Sequence, residues 1–216
     1  QHVRRLMTAT NRPSWAQRNK WGLILLLPAL VLALAAASSR VQLFWWGADL
    51  HQPISGTQGR PLVLTDTFHA PEGYFKRSVE VTLQGVSPGQ APLTSLGKPV
   101  DTPSGSKWVS VALHIKADPK SPLSVCQVAL RDGQGRQADY DPTLLGMGTL
   151  RSSPCVPEDH PGPSGMSAEE QAEAETEGPR PAEYDIDVPM LVADRFEAKH
   201  VLFWLNPPKY LKISVR

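Results

Sequence analysis

Acidic residues are missing from the first forty positions of this 216-residue chain, where Arg4, Arg5, Arg12, Arg18, Lys20 and Arg40 all lie. Positions 41–216 hold the other 16 basic residues against all 21 acidic ones, five net negative. A basic arm on an acidic body, with no Lys/Arg stripe along that body, excludes a nucleic-acid partner. Cysteine is scarce: Cys126 and Cys155 are the only two, too few for a closed zinc site. The six histidines, at 2, 51, 69, 114, 160 and 200, never fall within metal-ligand spacing of one another. There is no G-x-S-x-G, no phosphate-binding glycine loop, and no G-x-G-x-x-G between a strand and a helix. No catalytic residue, cofactor site or metal site is therefore expected, and the chain reads as non-enzymatic. Asp139/Asp141 and Asp185/Asp187 are D-x-D pairs whose carboxylates share one side of a strand, as a calcium site would need. Neither belongs to a full calcium loop, so both read as solvated strand ends.

Long apolar runs are also scarce; one alone is long enough to span a bilayer. Trp21–Ala37, WGLILLLPALVLALAAA, has no charge and no strong polar group in 17 residues. Aromatic residues extend it: Trp21 stands at one end, and Phe44, Trp45 and Trp46 at the other. Twenty-four steps from Trp21 to Trp45 make roughly 36 Å of helix. That lies between a hydrocarbon core of about 30 Å and a whole bilayer of about 40–45 Å. A transmembrane helix is expected over 21–46, with Trp21, Arg40, Trp45 and Trp46 marking its boundaries with membrane lipid. A cleaved signal peptide ending near Ala35-Ala36-Ala37 is the competing reading, but the run is long for an h-region. Five cations and no acid before the run put the arm 1–20 in the cytoplasm. The expectation is a single-pass plasma-membrane protein with a linker at 47–60 and an extracytoplasmic domain at 61–216. Ala29, Ala33 and Ala37 recur every four residues, a stripe along which another membrane helix can approach closely.

Outside the cytoplasm, an even cysteine count reads as a Cys126–Cys155 disulfide rather than two separate buried thiols. Twenty-one prolines, about twice the usual share of roughly 5%, argue against a helical bundle. Alternation predicts strands instead. Val79, Val81 and Leu83 share one face of 76–86; Val109, Val111, Leu113 and Ile115 share one face of 107–116. Cys126, Val128 and Leu130 alternate before the turn Asp132-Gly133-Gln134-Gly135, and 136–140 returns. Tyr184, Ile186 and Val188 alternate; 200–205 is apolar throughout, as a central strand buried on both faces would be; Leu211, Ile213 and Val215 close the chain. With 61–68 this gives about eight strands, the pattern of a β-sandwich. Two short segments read as helical: 192–199, as one turn between the last strands, and the acidic 167–176, capped by Ser167. The second lies in a proline-rich loop at 151–181, either a solvated insertion or an arm that docks on a partner.

The ending VPMLVADRFEAKHVLFW then YLKISV, behind a membrane anchor, resembles bacterial single-pass cell-envelope proteins with an immunoglobulin-like extracytoplasmic domain. The resemblance covers roughly 60–216. It implies a mostly β fold, an antiparallel immunoglobulin-like β-sandwich behind one transmembrane helix, with a short helical crossover before the final strands. It implies no chemistry. The antibody-type cysteine pair bridging two sheets needs wider spacing than 126 to 155. The expected function is a non-catalytic accessory subunit of a larger complex around a multi-span membrane protein, packing by its helix and covering the outer face. The alternative is a membrane-tethered binding module for a soluble, lipid or cell-wall ligand.

Overall fold

The computed structural model describes residues 14–41, 46, 49–70, 73–94, 97–123, 125–145, 153–163 and 179–216. It divides into two compact units, Gln1–Ala48 and Asp49–Arg216. The arm before Ser14, Trp45 and the acidic segment 167–176 lie outside the described residues.

In the first unit Ser14 caps a one-turn helix, α1 (Trp15–Arg18). Its Oγ accepts from the Gln17 N–H at 3.3 Å, while Gln17 Oε1 accepts from the Ser14 N–H at 3.1 Å. This reciprocal box satisfies donors that a helix start leaves unpaired. The longer helix α2 (Lys20–Val41) follows, with Pro28 inside it and Arg40 in its last turn. Its 22 residues make roughly 33 Å of helix. Leu, Ile and Val side chains are exposed on every side of α2. By length and composition α2 is able to cross a membrane. The described part of α2 reaches Val41; residues 42–45 of the expected span lie outside the described residues. Trp46 is described by itself and is exposed.

The second unit is mostly β. Its strands are β1 (Gln52–Thr57), β2 (Leu62–Ala70), β3 (Gly73–Pro88), β4 (Ser106–Ala117), β5 (Gln127–Asp132), β6 (Gln137–Asp139), β7 (Glu183–Ala193), β8 (Ala198–Trp204) and β9 (Lys209–Ser214). They form two sheets, in the orders β1-β9-β8-β5-β6 and β2-β3-β4-β7. Period-two burial explains the core, because alternate side chains of a strand reach the same face. Val79, Val81 and Leu83 of β3, Val111, Leu113 and Ile115 of β4, and Ile186, Val188, Met190 and Val192 of β7 are buried from one sheet. Val128 and Leu130 of β5, Val201 and Phe203 of β8, and Leu211 and Ile213 of β9 join the same cluster from the other. Leu202 turns the opposite way and packs with Ala129 and Tyr210. So β8, third of five strands, is buried on both faces as its unbroken apolar run predicts.

Three features differ from the sequence expectations. The segment 192–199 contains no helical turn: β7 continues to Ala193, and the Phe196 N–H donates to the Ala193 carbonyl at 2.9 Å. Val192 extends the buried alternation of β7 and pairs with Lys107 of β4, which holds the backbone extended. Strand β1 lies inside the expected linker. Its QPISGT sequence has no apolar period, and it is held by parallel pairing with β9, Gln52 opposite Lys209 through Thr57 opposite Ser214. At the start of β4, Trp108 is the buried residue and Val109 is half-buried.

The strand directions give this unit two distinct ends. The chain enters at His51 and Gln52, whose N–H groups donate to the Pro208 carbonyl at 3.2 and 3.0 Å. The 118–126 loop lies at this entrance end, where the Pro122 carbonyl accepts from Arg77. The opposite, far end carries the β3–β4 connection and the β7–β8 turn, joined where the Asp194 N–H donates to the Gly105 carbonyl at 2.9 Å.

Candidate functional site

At the far end the two sheets separate and leave a cavity of about 440 Å³. Its wall comes from Val86, Pro88 and Gly89 at the end of β3, Lys107, Trp108 and Val109 at the start of β4, Leu130 of β5, Phe196 just before β8 and Ala198 at its start. Two strand ends meet here because the Gly89 N–H donates to the Trp108 carbonyl at 3.0 Å. Glycine is required: a Cβ on Gly89 would stand 2.8 Å from the Val109 carbonyl carbon and 2.9 Å from the Ser110 nitrogen. Trp108 is oriented by its indole N–H, which donates to Thr102 Oγ1 at 2.8 Å. Lys107 reaches across to the Asp194 carbonyl at 2.7 Å. The result is an apolar recess with one ammonium group at its edge. Its volume is in the range of small-molecule sites, roughly 300–1,000 Å³.

A polar cluster occupies the solvent face of the β2-β3-β4-β7 sheet. His114 of β4 stands between two residues of β7: Nδ1 is 2.8 Å from Asp185 Oδ1, and Nε2 is 2.9 Å from Glu183 Oε1. Lys116 Nζ is 3.3 Å from the same Glu183 oxygen. Gln84 Nε2 donates to Asp185 Oδ1 at 2.7 Å, and Ser110 Oγ donates to Asp187 Oδ1 at 3.2 Å. The hydrogen bond to Asp185 is the largest influence raising the His114 pKa above its ordinary value; partial desolvation opposes it and Glu183 adds to it. Glu183 is held below the usual carboxylate range, chiefly by its bond with Lys116. His200, by contrast, is lowered by burial, with Lys212 and Arg131 nearby. Among the described residues no group of three or more His, Cys, Asp or Glu side chains is arranged to hold a metal ion. Asp185 and Asp187 are thus engaged by protein groups. So is Asp141, whose Oδ1 accepts from the Thr143 N–H and hydroxyl and whose pKa falls in consequence.

Cys126 and Cys155 are brought together. They form a disulfide with Cα atoms 6.1 Å apart, and both are fully buried. The bridge fixes 153–156 against the start of β5, and Tyr184 Oη donates to the Cys155 carbonyl at 2.6 Å. Burial pushes the Tyr184 phenol up to about 12. Ala29, Ala33 and Ala37 follow one another along α2, and Trp21 and Arg40 lie near its two ends; all five are exposed. Neither Cys126, Cys155 nor Tyr184 lines the far-end cavity, whose lining was not expected from the sequence. Trp108 was the available signal: a tryptophan in an alternating strand beside a lysine and close to a glycine-proline turn.

Comparison with known protein families, with curated proteins and with solved structures finds no match to this chain.

Proposed function

We propose that this chain is a non-catalytic accessory subunit of a membrane complex, anchored by α2 and exposing its β unit outside the cytoplasm. The observation that carries the reading is the surface of α2. A helix apolar on all sides needs an apolar environment around it, and lipid or a membrane partner supplies one. A helix pairs most of its backbone polar groups internally, which is what a hydrocarbon medium demands. Ala29, Ala33 and Ala37 then form the narrow side against which a helix of a multi-span partner packs. The basic residues before the span put the N-terminus in the cytoplasm, and a buried disulfide suits the oxidising side.

The β unit is read as an immunoglobulin-like sandwich. Neighbours β4 and β7 in one sheet, with β5, β8 and β9 in the other, support it, since this is the distribution of strands in a Greek-key sandwich of that type. The disulfide does not join the sheets through facing strands, so the antibody arrangement is not part of the reading.

The test is co-purification in mild detergent from the native membrane. Ala33→Phe should reduce recovery of a stoichiometric multi-span partner, while an exposed Leu32→Phe change leaves it intact. Equal recovery with both variants removes the alanine stripe from the argument, and recovery of this chain alone removes the accessory role.

A second reading, a tethered binding module, is favoured by the far-end cavity. An apolar recess edged by Lys107 suits a ligand with an apolar body and an anionic group. Ala198→Trp, which fills the recess, should abolish ligand capture and leave partner recovery unchanged.

A further inference from the structure

The β2–β3 hairpin runs past the rest of its sheet. Pairing of β3 with β4 begins at Val79, opposite Ala117. The six rungs nearer the tip, from Thr65 opposite Ser78 to Ala70 opposite Gly73, join β2 and β3 alone. A two-stranded ribbon is marginal in water by itself. This one is stiffened by the Phe68 and Phe75 rings, stacked with centroids 5.7 Å apart, and by the Arg77 guanidinium 5.2 Å over Phe68. Aromatic surface nevertheless stays in solvent: Tyr74 is 79% exposed and Phe75 44%. Lys76 beside them is exposed as well.

Position gives the hairpin its meaning. Asp66, in the middle of β2, accepts from Asn206 Nδ2 at 2.9 Å, in the β8–β9 turn. That same turn supplies the Pro208 carbonyl that anchors His51 and Gln52. The ribbon therefore continues beyond Asp66 at the end where the chain enters the unit. Four further residues of β2 carry it roughly 13 Å outward at about 3.3 Å per residue.

We propose that this tip inserts into the interface of the bilayer that holds α2, with Tyr74 and Phe75 at headgroup depth and Lys76 on anionic headgroups. The inference rests on the membrane reading above. Two observations favour lipid over a protein partner. Tyr74 and Phe75 are adjacent in a strand and so project from opposite faces of the ribbon. A protein docked on one face would leave one of them in water, whereas immersion covers both. Aromatic rings with a neighbouring lysine are also the combination that settles at the membrane–water boundary.

The test uses the full chain with its native disulfide, carrying one added cysteine labelled with an environment-sensitive fluorophore. Three positions are compared: Tyr74→Cys at the tip, Leu32→Cys within α2, and Ser104→Cys at the far end. Each is reconstituted into phosphatidylethanolamine–phosphatidylglycerol vesicles with or without bromine on the acyl chains. Brominated lipid should quench and blue-shifted emission should mark the labels at 74 and 32, and neither change should occur at 104. Quenching at 32 with an unaffected label at 74 overturns the hairpin contact and leaves the anchor standing. No quenching at 32 overturns the membrane reading and the hairpin contact with it.

Discussion

Arg77 donates to a single carboxylate oxygen of Asp66, Oδ2, through Nη2 at 2.8 Å and Nε at 3.3 Å. The same oxygen accepts from Asn206 of the other sheet's β8–β9 turn, and Arg77 Nη1 donates to the Pro122 carbonyl at 2.8 Å. The Arg77 side chain is 2% exposed and that of Asp66 13%. One ion pair thus ties β2, β3, the β8–β9 turn and the 118–126 loop together at the entrance end. A buried pair adds little over an apolar pair of the same shape, but removing one partner strands the other charge.

Arg77→Met should consequently destabilise the protein by about 3–5 kcal/mol, measured as a shift in the denaturant midpoint. Arg77→Met combined with Asp66→Asn should recover part of that loss, because no unpaired charge is left buried. Equal losses in the single and double variants would show that packing, not charge, sets the cost.

The Cys126–Cys155 bridge closes a loop whose ends are 29 positions apart. Cross-linking such a loop restricts the unfolded chain and contributes roughly 3–4 kcal/mol in the chain-entropy model. Cys126→Ala with Cys155→Ala should lower stability by that order, and protein purified under oxidising conditions should titrate with no free thiol. An unreactive thiol count that rises only after denaturation, without any reductant, would contradict the bridge.

The sequence carried the interior of the β unit well and its ends poorly. Val79, Val81 and Leu83 alternate because one face of β3 meets the core, and that period is visible in a single strand. Strand β1 had no such signal, since its place depends on backbone pairing with β9 more than 150 positions away. The same limit applies to His114. Its partners Asp185 and Glu183 follow from the register of β4 against β7, not from local spacing. Trp108 is buried although alternation puts it on the face of β4 opposite Val111; its indole bonds Thr102 in the β3–β4 connection, a contact that local spacing does not show. The cavity itself gathers residues from four separated segments, so no motif announces it.

His114 contributes a pH dependence whose sign follows from its raised pKa. Protonated imidazole between Asp185 and Glu183 stabilises the fold fully below the unfolded value of 6.5, and this contribution is lost as pH rises through the folded pKa. Glu183, with a lowered pKa, contributes above its ordinary 4.5 and loses that contribution on acidification. The stability difference between the parent and His114→Gln should therefore decline from about pH 6 to about pH 8, whereas His200, lowered by burial, works in the opposite direction in both proteins. An imidazole titration followed by NMR that falls below 6.5 for His114 would refute the ion-pair geometry.

Gly89 offers the sharpest steric test, because what a side chain would meet there is backbone. Its added Cβ would press on the Val109 carbonyl carbon and the Ser110 nitrogen, neither of which a rotamer change can move. Gly89→Ala must push the end of β3 away from β4, breaking the bond to the Trp108 carbonyl at the cavity wall. Overpacking of this kind costs about 1–3 kcal/mol. Gly133→Ala is the matched control: its nearest neighbour would be Lys199 Cγ at 3.6 Å, an ordinary contact on a flexible side chain. Urea denaturation of the two variants should separate them clearly, with Gly133→Ala close to the parent and only Gly89→Ala displaced. A Trp108 environment altered in Gly89→Ala, read by near-ultraviolet circular dichroism, would locate the disturbance at the cavity. Equal stabilities would mean that the end of β3 has more room beside β4 than the Gly89 contact distances allow.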